Sequence, residues 1–338
     1  MNILITGING SLGINTAIQL YEKGYKIIGY GHAKNVNHPI INDIEFVEGD
    51  LLEKEKLKKV ISKVNVIFHF GALTGYKKSM SDYINSNILG TGNIIDIINE
   101  HEYPIEKIIF ASSSAVYGEG AYECDEHGIL SPKHRKSSDL NNRIWNLTCQ
   151  YCDRLINPIP TNENSKQYGH HIYGITKQTC ERILNSLSIL NKIIIINLRF
   201  SILYGNFQKK GIIPLIYDKI SSGQEIKLNE DGNQIRDFIF LSDAASMIIL
   251  AMENMFKNGT YNISSNSPTT LLSLVNIISK SLNKKVNINI TQKYRSGDIR
   301  HLYMDNNKII KALNCHYKTD IVNGINDMTS SYNNLHFC

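Results

Sequence analysis

Short apolar runs alternate with longer amphipathic stretches through the first 200 residues of the chain. The apolar runs are rich in isoleucine and valine, which favours buried strands, and the stretches between them carry apolar residues at helical spacing. This alternation predicts an α/β fold in which helices cover both faces of a parallel sheet. Strands are predicted at 2–6, 26–29, 44–47, 64–69, 107–111 and 193–199. Helices are predicted at 15–23, 54–62, 81–100 and 173–190.

The alternation is interrupted between Glu119 and Lys166 and becomes mixed α and β after Gly205. A structureless loop as long as 119–166 is unusual inside a compact domain and needs a physical reason. Residues 235–251 have the pattern of a strand and a helix that return to the first unit. We therefore predict a first domain of residues 1–200 plus 235–252 with an insertion at 119–166. A smaller mixed α/β substrate-binding domain is predicted from residues 201–234 and 253–338.

A glycine-rich turn follows the first predicted strand and opens a helix. In the run Gly7-Ile8-Asn9-Gly10-Ser11-Leu12-Gly13, glycines let the backbone turn tightly and approach a pyrophosphate. Free N–H groups at the helix N-terminus meet the charge of that ligand. The strand–turn–helix context predicts a Rossmann-type, doubly wound parallel sheet that binds a dinucleotide through Gly7, Asn9, Gly10, Ser11, Leu12 and Gly13. Asp50, after strand three, is placed to accept a hydrogen bond from the adenine amino group.

The end of the second strand departs from the usual dinucleotide pattern. NAD enzymes commonly have there an acid that binds the ribose 2′-hydroxyl, but this position is Gly31, followed by His32 and Lys34. A missing carboxylate and nearby cationic groups would accommodate a 2′-phosphate. This favours NADP slightly, although NAD can bind through its other contacts.

Tyr173 and Lys177 are four residues apart on a predicted helix and therefore share a face. A lysine cation stabilises a phenolate and lowers the pKa of the phenol, so the pair can exchange a proton with a sugar hydroxyl. Ser113 lies at the end of a predicted strand, where ligands bind in open α/β sheets. Its hydroxyl can hydrogen-bond the oxygen whose bond order changes in a hydride transfer.

The remaining composition excludes several classes of function. The formal charge of +5 is spread along the chain and its basic stretches lack interleaved aromatic residues, so we expect no nucleic-acid binding. Residues 1–6 already form the first strand and the apolar runs are too short for a span, so we expect no signal peptide and no membrane association. A cytoplasmic location is therefore expected, in which six cysteines would not form a disulfide framework.

Together these features resemble the extended short-chain dehydrogenase/reductase family, which contains the epimerases and dehydratases of nucleotide sugars. Further similar elements are His69-Phe70-Gly71-Ala72, Asn87-Ile88-Leu89-Gly90-Thr91, Leu198-Arg199 with Tyr204-Gly205, Gln234-Ile235-Arg236-Asp237-Phe238 and Arg295-Ser296-Gly297-Asp298-Ile299-Arg300. The resemblance implies that Tyr173 transfers the proton, that Lys177 orients the nicotinamide ribose, and that Ser113 is the third catalytic residue. It adds Leu51, Phe70, Gly71, Ala72 and the structural Asn87 to the cofactor site. For the substrate it implies Thr74, Ser114, Arg236, Arg295, Asp298 and Arg300, with the arginines on the diphosphate.

Two departures from the family pattern narrow the reaction. Sugar 4,6-dehydratases carry an Asp-Glu pair where Ser114-Ala115 stand here, so no acid–base pair is available to expel the 6-hydroxyl. The asparagine usual in the Leu-Arg…Tyr-Gly element is Ile202. The family also implies a homodimer formed through the helices predicted at 81–100 and 173–190.

The insertion contains a Cys-x2-His pair, Cys124 and His127, and a Cys-x2-Cys pair, Cys149 and Cys152. Two such pairs brought together would make a closed tetrahedral site for structural Zn²⁺, whose binding energy would order a long loop. Free thiols with an unrelated histidine, or a disulfide, are the alternatives. The insertion as a whole resembles that of a subgroup of dTDP-L-rhamnose 4-epimerases, which usually has an acid at the place of Gly31.

The sequence thus favours an NAD(P)-dependent 4-epimerase of a nucleotide-activated (6-deoxy)hexose that works through a transient 4-keto sugar. The alternative in the same family is an NADPH-dependent reductase of 4-keto sugar nucleotides, which uses the same residues and consumes its cofactor. A non-catalytic module that only senses NAD(P) is a third hypothesis, against which the complete Ser113–Tyr173–Lys177 set argues.

Overall fold

A computed structural model describes residues 1–32, 39–75, 78–101, 103–190, 192–208 and 210–335. In chain order its strands are β1 (Asn2–Thr6), β2 (Lys26–Gly31), β3 (Glu45–Glu48), β4 (Val66–His69), β5 (Lys107–Ser113), β6 (Ala121–Cys124), β7 (Gly128–Leu130), β8 (Asn157–Ile159), β9 (Ile194–Phe200), β10 (Ile202–Tyr204), β11 (Ile226–Leu228), β12 (Ile235–Arg236), β13 (Phe238–Phe240), β14 (Gly259–Ile263), β15 (Thr269–Thr270) and β16 (Ile288–Ile290). The helices are α1 (Ser11–Glu22), α2 (Ile40–Asp43), α3 (Lys54–Ile61), α4 (Met80–Tyr83), α5 (Gly90–Glu100), α6 (Ser137–Asn141), α7 (Ile172–Leu190), α8 (Ile212–Ser221), α9 (Leu241–Asn254), α10 (Leu271–Ser281), α11 (Asn307–Leu313) and α12 (Ile321–Leu335). A π-helical turn, Ile84–Leu89, joins α4 to α5, and a 3₁₀ turn, Ser114–Val116, follows β5.

The main sheet has the strand order β3-β2-β1-β4-β5-β9-β14, and every neighbouring pair is parallel. The chain reverses its direction of growth between β1 and β4, so the carboxyl ends of these two strands open a crevice for a ligand. The structure thus confirms the predicted doubly wound α/β fold.

Alternate residues of β1 enter different cores on the two faces of the sheet. Ile3 and Ile5 join the core beneath α1 and α9, whereas Leu4 joins the core beneath α3, α5 and α7. The predicted return of 235–251 is seen in α9, whose Ala244 and Ile248 are fully buried in the first of these cores. Burial of each large aliphatic side chain stabilises the sheet by roughly 1.5–3 kcal/mol.

The C-terminal half supplies a separate core between α8, α10 and α12, with short two-stranded pairs beside it. One segment of this half belongs to the main sheet: β14 pairs with β9 from Gly259 to Ile263. The predicted division had placed 259–263 in the second domain. Three positions of this short strand are only partly buried, so its sequence lacked the continuous apolar run that marked the other strands.

The insertion at 119–166 forms a small lobe with an antiparallel sheet of order β7-β6-β8. Its strands have three or four residues each, too few for a sequence period to be recognised.

Among the described residues, no helix combines the length and the apolar character that crossing a bilayer requires.

Candidate active site

The glycine-rich turn occupies the place where β1 passes into α1. Gly7 has a φ of +69°, and a Cβ at this position would lie 2.7 Å from the backbone nitrogen of Gly71. A Cβ on Gly13 would lie 2.7 Å from the carbonyl oxygen of Gly7. Only glycine fits either position, so the turn packs closely against the loop after β4. The first residues of α1, Ser11, Leu12 and Gly13, line the crevice.

A cleft of about 800 Å³ begins at this turn and extends to the carboxyl end of β5. The predicted cofactor residues that line it are Gly7, Asn9, Gly10, Ser11, Leu12, Gly13, His32, Asp50, Leu51, Phe70, Gly71 and Ala72. Lys34 lies outside the described residues. The cleft is of the size that small-molecule and cofactor sites have.

Asn87 is buried in the π-helical turn next to the cleft. Its Oδ1 accepts from the backbone N–H of Leu73 at 2.7 Å, and its Nδ2 donates to the carbonyl of Leu73 at 3.2 Å and to Oγ1 of Thr176 at 2.9 Å. Asn87 therefore ties the loop after β4 to α7. Its placement agrees with the structural role that the resemblance implies and gives it no position on the wall of the cleft.

The end of the cleft next to β2 explains why the second strand ends in glycine. A Cβ on Gly31 would lie 2.8 Å from Oδ1 of Asn9, whose Nδ2 donates to the carbonyl of His32 at 3.1 Å. The Asn9 carboxamide thus fills the space next to the strand where an acidic side chain would start. The exposed His32 ring lies 3.4 Å from a carboxylate oxygen of Asp50.

Ser113, Tyr173 and Lys177 all line the inner end of the same cleft. Lys177 is buried, and its Nζ donates to the carbonyl of Ala111 at 2.6 Å and lies 5.9 Å from the centre of the Tyr173 ring. The Oγ of Ser113 accepts from the backbone N–H of Ala115 at 3.2 Å. The structure therefore brings together the three residues that were predicted to be catalytic.

Burial controls the proton affinity of both titratable groups. It raises the pKa of the Tyr173 phenol to about 12, against a hydrogen bond with Ser113 that lowers it. It lowers the pKa of the Lys177 ammonium to about 8. The sequence argument had expected the lysine cation to dominate the pKa of the phenol, but desolvation is the larger effect in the structure.

A buried polar group behind these residues was missed by the sequence analysis. Arg199 of β9 donates from Nε and Nη2 to the two carboxylate oxygens of Glu181 at 2.9 and 2.7 Å. Ser112, next to Ser113, donates to Glu181 at 2.5 Å. Glu181 is four residues beyond Lys177 on α7, a spacing that the sequence shows. Its partner, however, comes from a distant strand, which the sequence alone does not pair with it.

Of the predicted substrate residues, one lines the cleft and the others lie outside its lining. Thr74 lines the cleft, whereas Ser114 begins the 3₁₀ turn beyond Ser113. The Nη atoms of Arg236 donate to the carbonyls of Ile235, Ile299 and Arg300. Arg295 is exposed and forms an ion pair with Asp298 at 2.7 Å.

Arg300 departs from its predicted contact with the diphosphate. It is 1% exposed, and its guanidinium forms a bidentate pair with Asp231 at 2.7 and 2.8 Å and a further contact with Glu230 at 3.0 Å. The positive charge of the guanidinium is therefore compensated by these two carboxylates, and its parallel N–H donors are already used in hydrogen bonds to them. In the structure Arg300 therefore holds two loops together and offers no free donor pair to a phosphate.

The four predicted metal ligands converge in the insertion. The ligand atoms of Cys124, His127, Cys149 and Cys152 all lie within 4.8 Å of one another. The Sγ of Cys124 lies 3.7 Å from Nδ1 of His127 and 3.7 Å from Sγ of Cys152, and the Sγ of Cys149 lies 3.6 Å from the same Nδ1. Since bonded sulfur atoms are ~2.05 Å apart, these cysteines are free thiols rather than a disulfide.

Comparison with known proteins agrees with this arrangement. The family model described as NAD dependent epimerase/dehydratase family matches residues 3–138 and 148–264. The dTDP-L-rhamnose 4-epimerase of Burkholderia thailandensis is 26% identical to this chain over 96% of its residues. An uncharacterised protein of Methanocaldococcus jannaschii is 27% identical over 350 residues, which cover 96% of this chain and 94% of that protein.

 The alignment with the Burkholderia protein spans 349 residues and 93% of its length. Two solved structures share the fold over 99% of this chain and 100% of theirs. One is the UDP-glucose 4-epimerase of Thermotoga maritima with UDP-glucose, at 21% identity and a TM-score of 0.80. The other is a UDP-glucuronic acid 4-epimerase variant of Bacillus cereus with a substrate analogue and NAD, at 19% identity and a TM-score of 0.81.

Proposed function

Because the chain belongs to the NAD-dependent epimerase/dehydratase family, we propose that it is an NAD-dependent 4-epimerase of a nucleotide-activated hexose. The observation that carries this proposal is the convergence of Ser113, Tyr173 and Lys177 on the cleft that starts at the glycine-rich turn. A phenol, a hydroxyl and an ammonium are thereby assembled next to a site shaped for a dinucleotide. The 4-epimerase activity named for the Burkholderia relative supports the same reaction.

In this reaction Tyr173 removes the proton of the 4-hydroxyl and later returns it, while Ser113 donates a hydrogen bond to the same oxygen. NAD held in the cleft would accept a hydride from C4 of the sugar and later return it, so that the cofactor is regenerated in each cycle. Lys177 donates to the carbonyl of Ala111, and its Nζ lies 5.9 Å from the centre of the Tyr173 ring, so its positive charge also favours the phenolate. The sugar then passes through a 4-keto form and turns within the cleft before its C4 is reduced on the other face.

The absence of an acid pair after Ser113 is consistent with epimerisation rather than dehydration. Ser114 and Ala115 form the 3₁₀ turn at this place, and neither can act as a general acid or base toward the 6-hydroxyl. We propose Thr74 on the cleft wall, with Ser114, Arg236, Arg295 and Asp298 farther out, as substrate contacts. Arg300 acts instead by holding the loop on which Arg295 lies.

The slight preference for NADP drawn from the sequence finds no support. His32 faces the Asp50 carboxylate, which would repel a 2′-phosphate on the neighbouring ribose. The Bacillus cereus neighbour holds NAD. We therefore propose NAD as the cofactor of this chain.

A homodimer through the predicted helices also belongs to the proposal. Met80, Ile84 and Leu89 on α4 and the π turn are 45–71% exposed, and Ile175 and Ile189 on α7 are 45% and 84% exposed. Apolar side chains exposed together on two packed helices are typical of a surface covered by a partner. Light scattering after gel filtration should give twice the mass of the chain, and Leu89→Glu should yield the monomer.

We further propose that the Cys/His cluster holds Zn²⁺. A tetrahedron with Zn–S bonds of ~2.3 Å and a Zn–N bond of ~2.0 Å has S···S edges of about 3.8 Å and S···N edges of about 3.6 Å. The measured separations of 3.7 Å between Cys124 and Cys152 and 3.6 Å between Cys149 and His127 fit these edges. Three thiolates and an imidazole leave no open position, so the metal would be structural and would take no part in hydride transfer.

The reaction is tested with UDP- and dTDP-hexoses deuterated at C4 and a catalytic amount of NAD. The epimerase is expected to form the C4 epimer with retention of deuterium at C4 and without net accumulation of reduced cofactor. Consumption of NAD(P)H in proportion to product would identify a reductase. A protein that binds both ligands but turns over no sugar nucleotide would contradict the proposal.

A further inference from the structure

The insertion at 119–166 has very little apolar interior of its own. Its hydrophobic core consists of Tyr122, Cys124, Leu147, Cys149 and Ile156, so two of its five buried members are proposed metal ligands. Its strands are short and its one helix, α6, has five residues. Ordering a lobe of this length costs conformational entropy that so few buried side chains do not offset. A bound metal supplies the missing free energy.

The chain around Cys149 and Cys152 forms a tight backbone turn. The N–H of Tyr151 points at Sγ of Cys149 at 3.5 Å, and the N–H of Asp153 donates to the carbonyl of Cys149 at 2.9 Å. The chain then turns back through Asp153 at a φ of +56°, and the N–H of Cys149 donates to the carbonyl of Arg154. The turn thus closes on itself through backbone hydrogen bonds and directs the N–H of Tyr151 toward the sulfur of Cys149.

The same lobe forms hydrogen bonds and ion pairs with the 295–300 loop, which carries the proposed diphosphate contacts. Arg135, between the two ligand pairs in sequence, is 5% exposed at its side chain. Its Nη2 donates to the carbonyl of Asp298 at 2.7 Å and lies 2.8 Å from Glu230, and its Nε lies 3.4 Å from Glu119. Arg135 and Glu119 of the lobe thus belong to one buried ion cluster, which also contains Glu230. The same cluster contacts the 295–300 loop at the carbonyl of Asp298.

Two more contacts hold Arg300 to the lobe. The backbone N–H of Arg300 donates to Glu119 at 2.7 Å, and its Nε donates to Oδ1 of Asn146 at 3.0 Å. Glu119, Arg135 and Asn146 are therefore attached to residues 298–300, which are continuous with Arg295. Among the described residues, the side-chain hydrogen bonds of Arg135 and Arg300 go to Trp145, Asn146, Glu230, Asp231 and Asp298, and none of them goes to the glycine-rich turn or to Asp50.

We propose that Zn²⁺ bound by Cys124, His127, Cys149 and Cys152 fixes the 295–300 loop through Arg135 and Glu119, and so controls the affinity for the nucleotide diphosphate of the substrate but not for NAD. This inference rests on the proposed function for the identity of the substrate. A buried ion cluster keeps its geometry only while the chain around it is ordered, because each charge lacks water to replace a lost partner. Loss of the metal loosens the lobe that carries Arg135 and releases the loop.

The first test measures metal and ligand binding on the full chain. Elemental analysis of protein purified without chelator should give one zinc per chain, and Cys149→Ser with Cys152→Ser should remove it. Cys315→Ser, which changes a half-buried cysteine outside the lobe, is the matched control and should retain the metal. The metal-free double variant should bind UDP or dTDP at least ~10-fold more weakly, about the loss of one charge-assisted hydrogen bond, with NADH affinity within ~2-fold of the unchanged protein.

A second variant keeps the test decisive if the double variant fails to fold. Arg135→Met leaves all four ligands in place and removes the guanidinium that contacts Asp298, Glu230 and Glu119. It should retain zinc and NADH binding and lose nucleotide affinity to a similar extent. Metal-free protein, or Arg135→Met, with unchanged nucleotide affinity would overturn the inference, as would a purified chain without zinc. These readouts need no turnover, so they remain valid if the proposed reaction is not found.

Discussion

Glu181 and Arg199 form a buried bidentate ion pair directly behind the residues proposed to be catalytic. The two N···O distances are 2.9 and 2.7 Å, and both side chains are at most 5% exposed. Glu181 also accepts from Ser112, the neighbour of Ser113, and Arg199 donates to the hydroxyl of Tyr117 at 2.8 Å. The pair therefore fixes α7, β5 and β9 relative to one another, and with them the positions of Lys177 and Ser113.

Replacement of Glu181 by Gln should destabilise the protein by about 3 kcal/mol, because the Arg199 cation then stays buried without its counter-charge. The free energy of unfolding is measured by urea denaturation. Glu225→Gln removes the partly exposed partner of Lys227 and should change stability by less than about 0.5 kcal/mol. If the two substitutions changed the free energy of unfolding equally, the buried ion pair would contribute no more to stability than the partly exposed one.

Tyr173→Phe should lower kcat by at least ~10²-fold, because it removes the hydroxyl that is proposed to exchange the proton of the 4-hydroxyl. The substitution removes one hydroxyl and no apolar contact, so the affinities for NADH and for the nucleotide sugar should change little. Tyr25→Phe removes a hydroxyl that donates to Glu253 away from the cleft and should retain full turnover. Unchanged kcat in Tyr173→Phe would remove this residue from the mechanism.

The sequence predicted the sheet, the glycine turn and the convergence of Ser113, Tyr173 and Lys177, because each depends on local patterns that a strand or one helical turn carries. The Cys/His cluster was predictable for a similar reason, since its two pairs are close in sequence. The partners of Glu181 and of Arg300 were not predictable. Both interactions join residues whose spatial proximity is set by the packing of separate elements, and the sequence gives no register for that packing.

The strand β14 shows the same limit at the level of the fold. The sequence of Gly259–Ile263 has only a weak strand pattern, yet these residues form the edge strand of the parallel sheet next to β9. Its place is decided by the free edge of β9, to which its backbone groups bond, rather than by its own apolar pattern. The pKa of Tyr173 is another case, because the amount of burial that raises it follows from the tertiary structure.

His69 is a buried neutral histidine with a defined tautomer. The hydroxyl of Thr91 donates to the carbonyl of Asn87 at 2.6 Å, so its oxygen accepts from Nε2–H of His69 at 3.0 Å. Nδ1 of His69 then accepts from the hydroxyl of Thr6 at 2.9 Å, and Thr6 accepts from the N–H of Gly71 at 3.1 Å. A proton added to Nδ1 would break this chain.

The stability of the protein should therefore fall as the pH falls below neutrality. Burial, with the charge of Lys177, lowers the pKa of His69 to about 3, whereas the unfolded chain takes up a proton near pH ~6.5. The unfolded state thus binds more protons between these values, and at pH 5 this costs about 2 kcal/mol. His69→Asn should lower stability at pH 7.5 but reduce the further loss at pH 5 by that amount. His316→Asn, at an exposed position, should leave the pH dependence of the urea midpoint as it was.

Asn9 and Gly31 should be coupled in cofactor binding, because a Cβ on Gly31 would lie 2.8 Å from Oδ1 of Asn9. Gly31→Asp alone is expected to weaken NADH binding by ~10-fold, since the new side chain must displace the carboxamide that lines the cleft. Asn9→Ala with Gly31→Asp frees that space, so the carboxylate can reach the ribose hydroxyls and NADH binding should recover. The same double variant should bind NADPH poorly, because the carboxylate repels a 2′-phosphate. The coupling is measured by fluorescence titration of the unchanged protein, Asn9→Ala, Gly31→Asp and the double variant with NADH and NADPH. If the effects of the two single substitutions add in the double variant, Asn9 and Gly31 act independently.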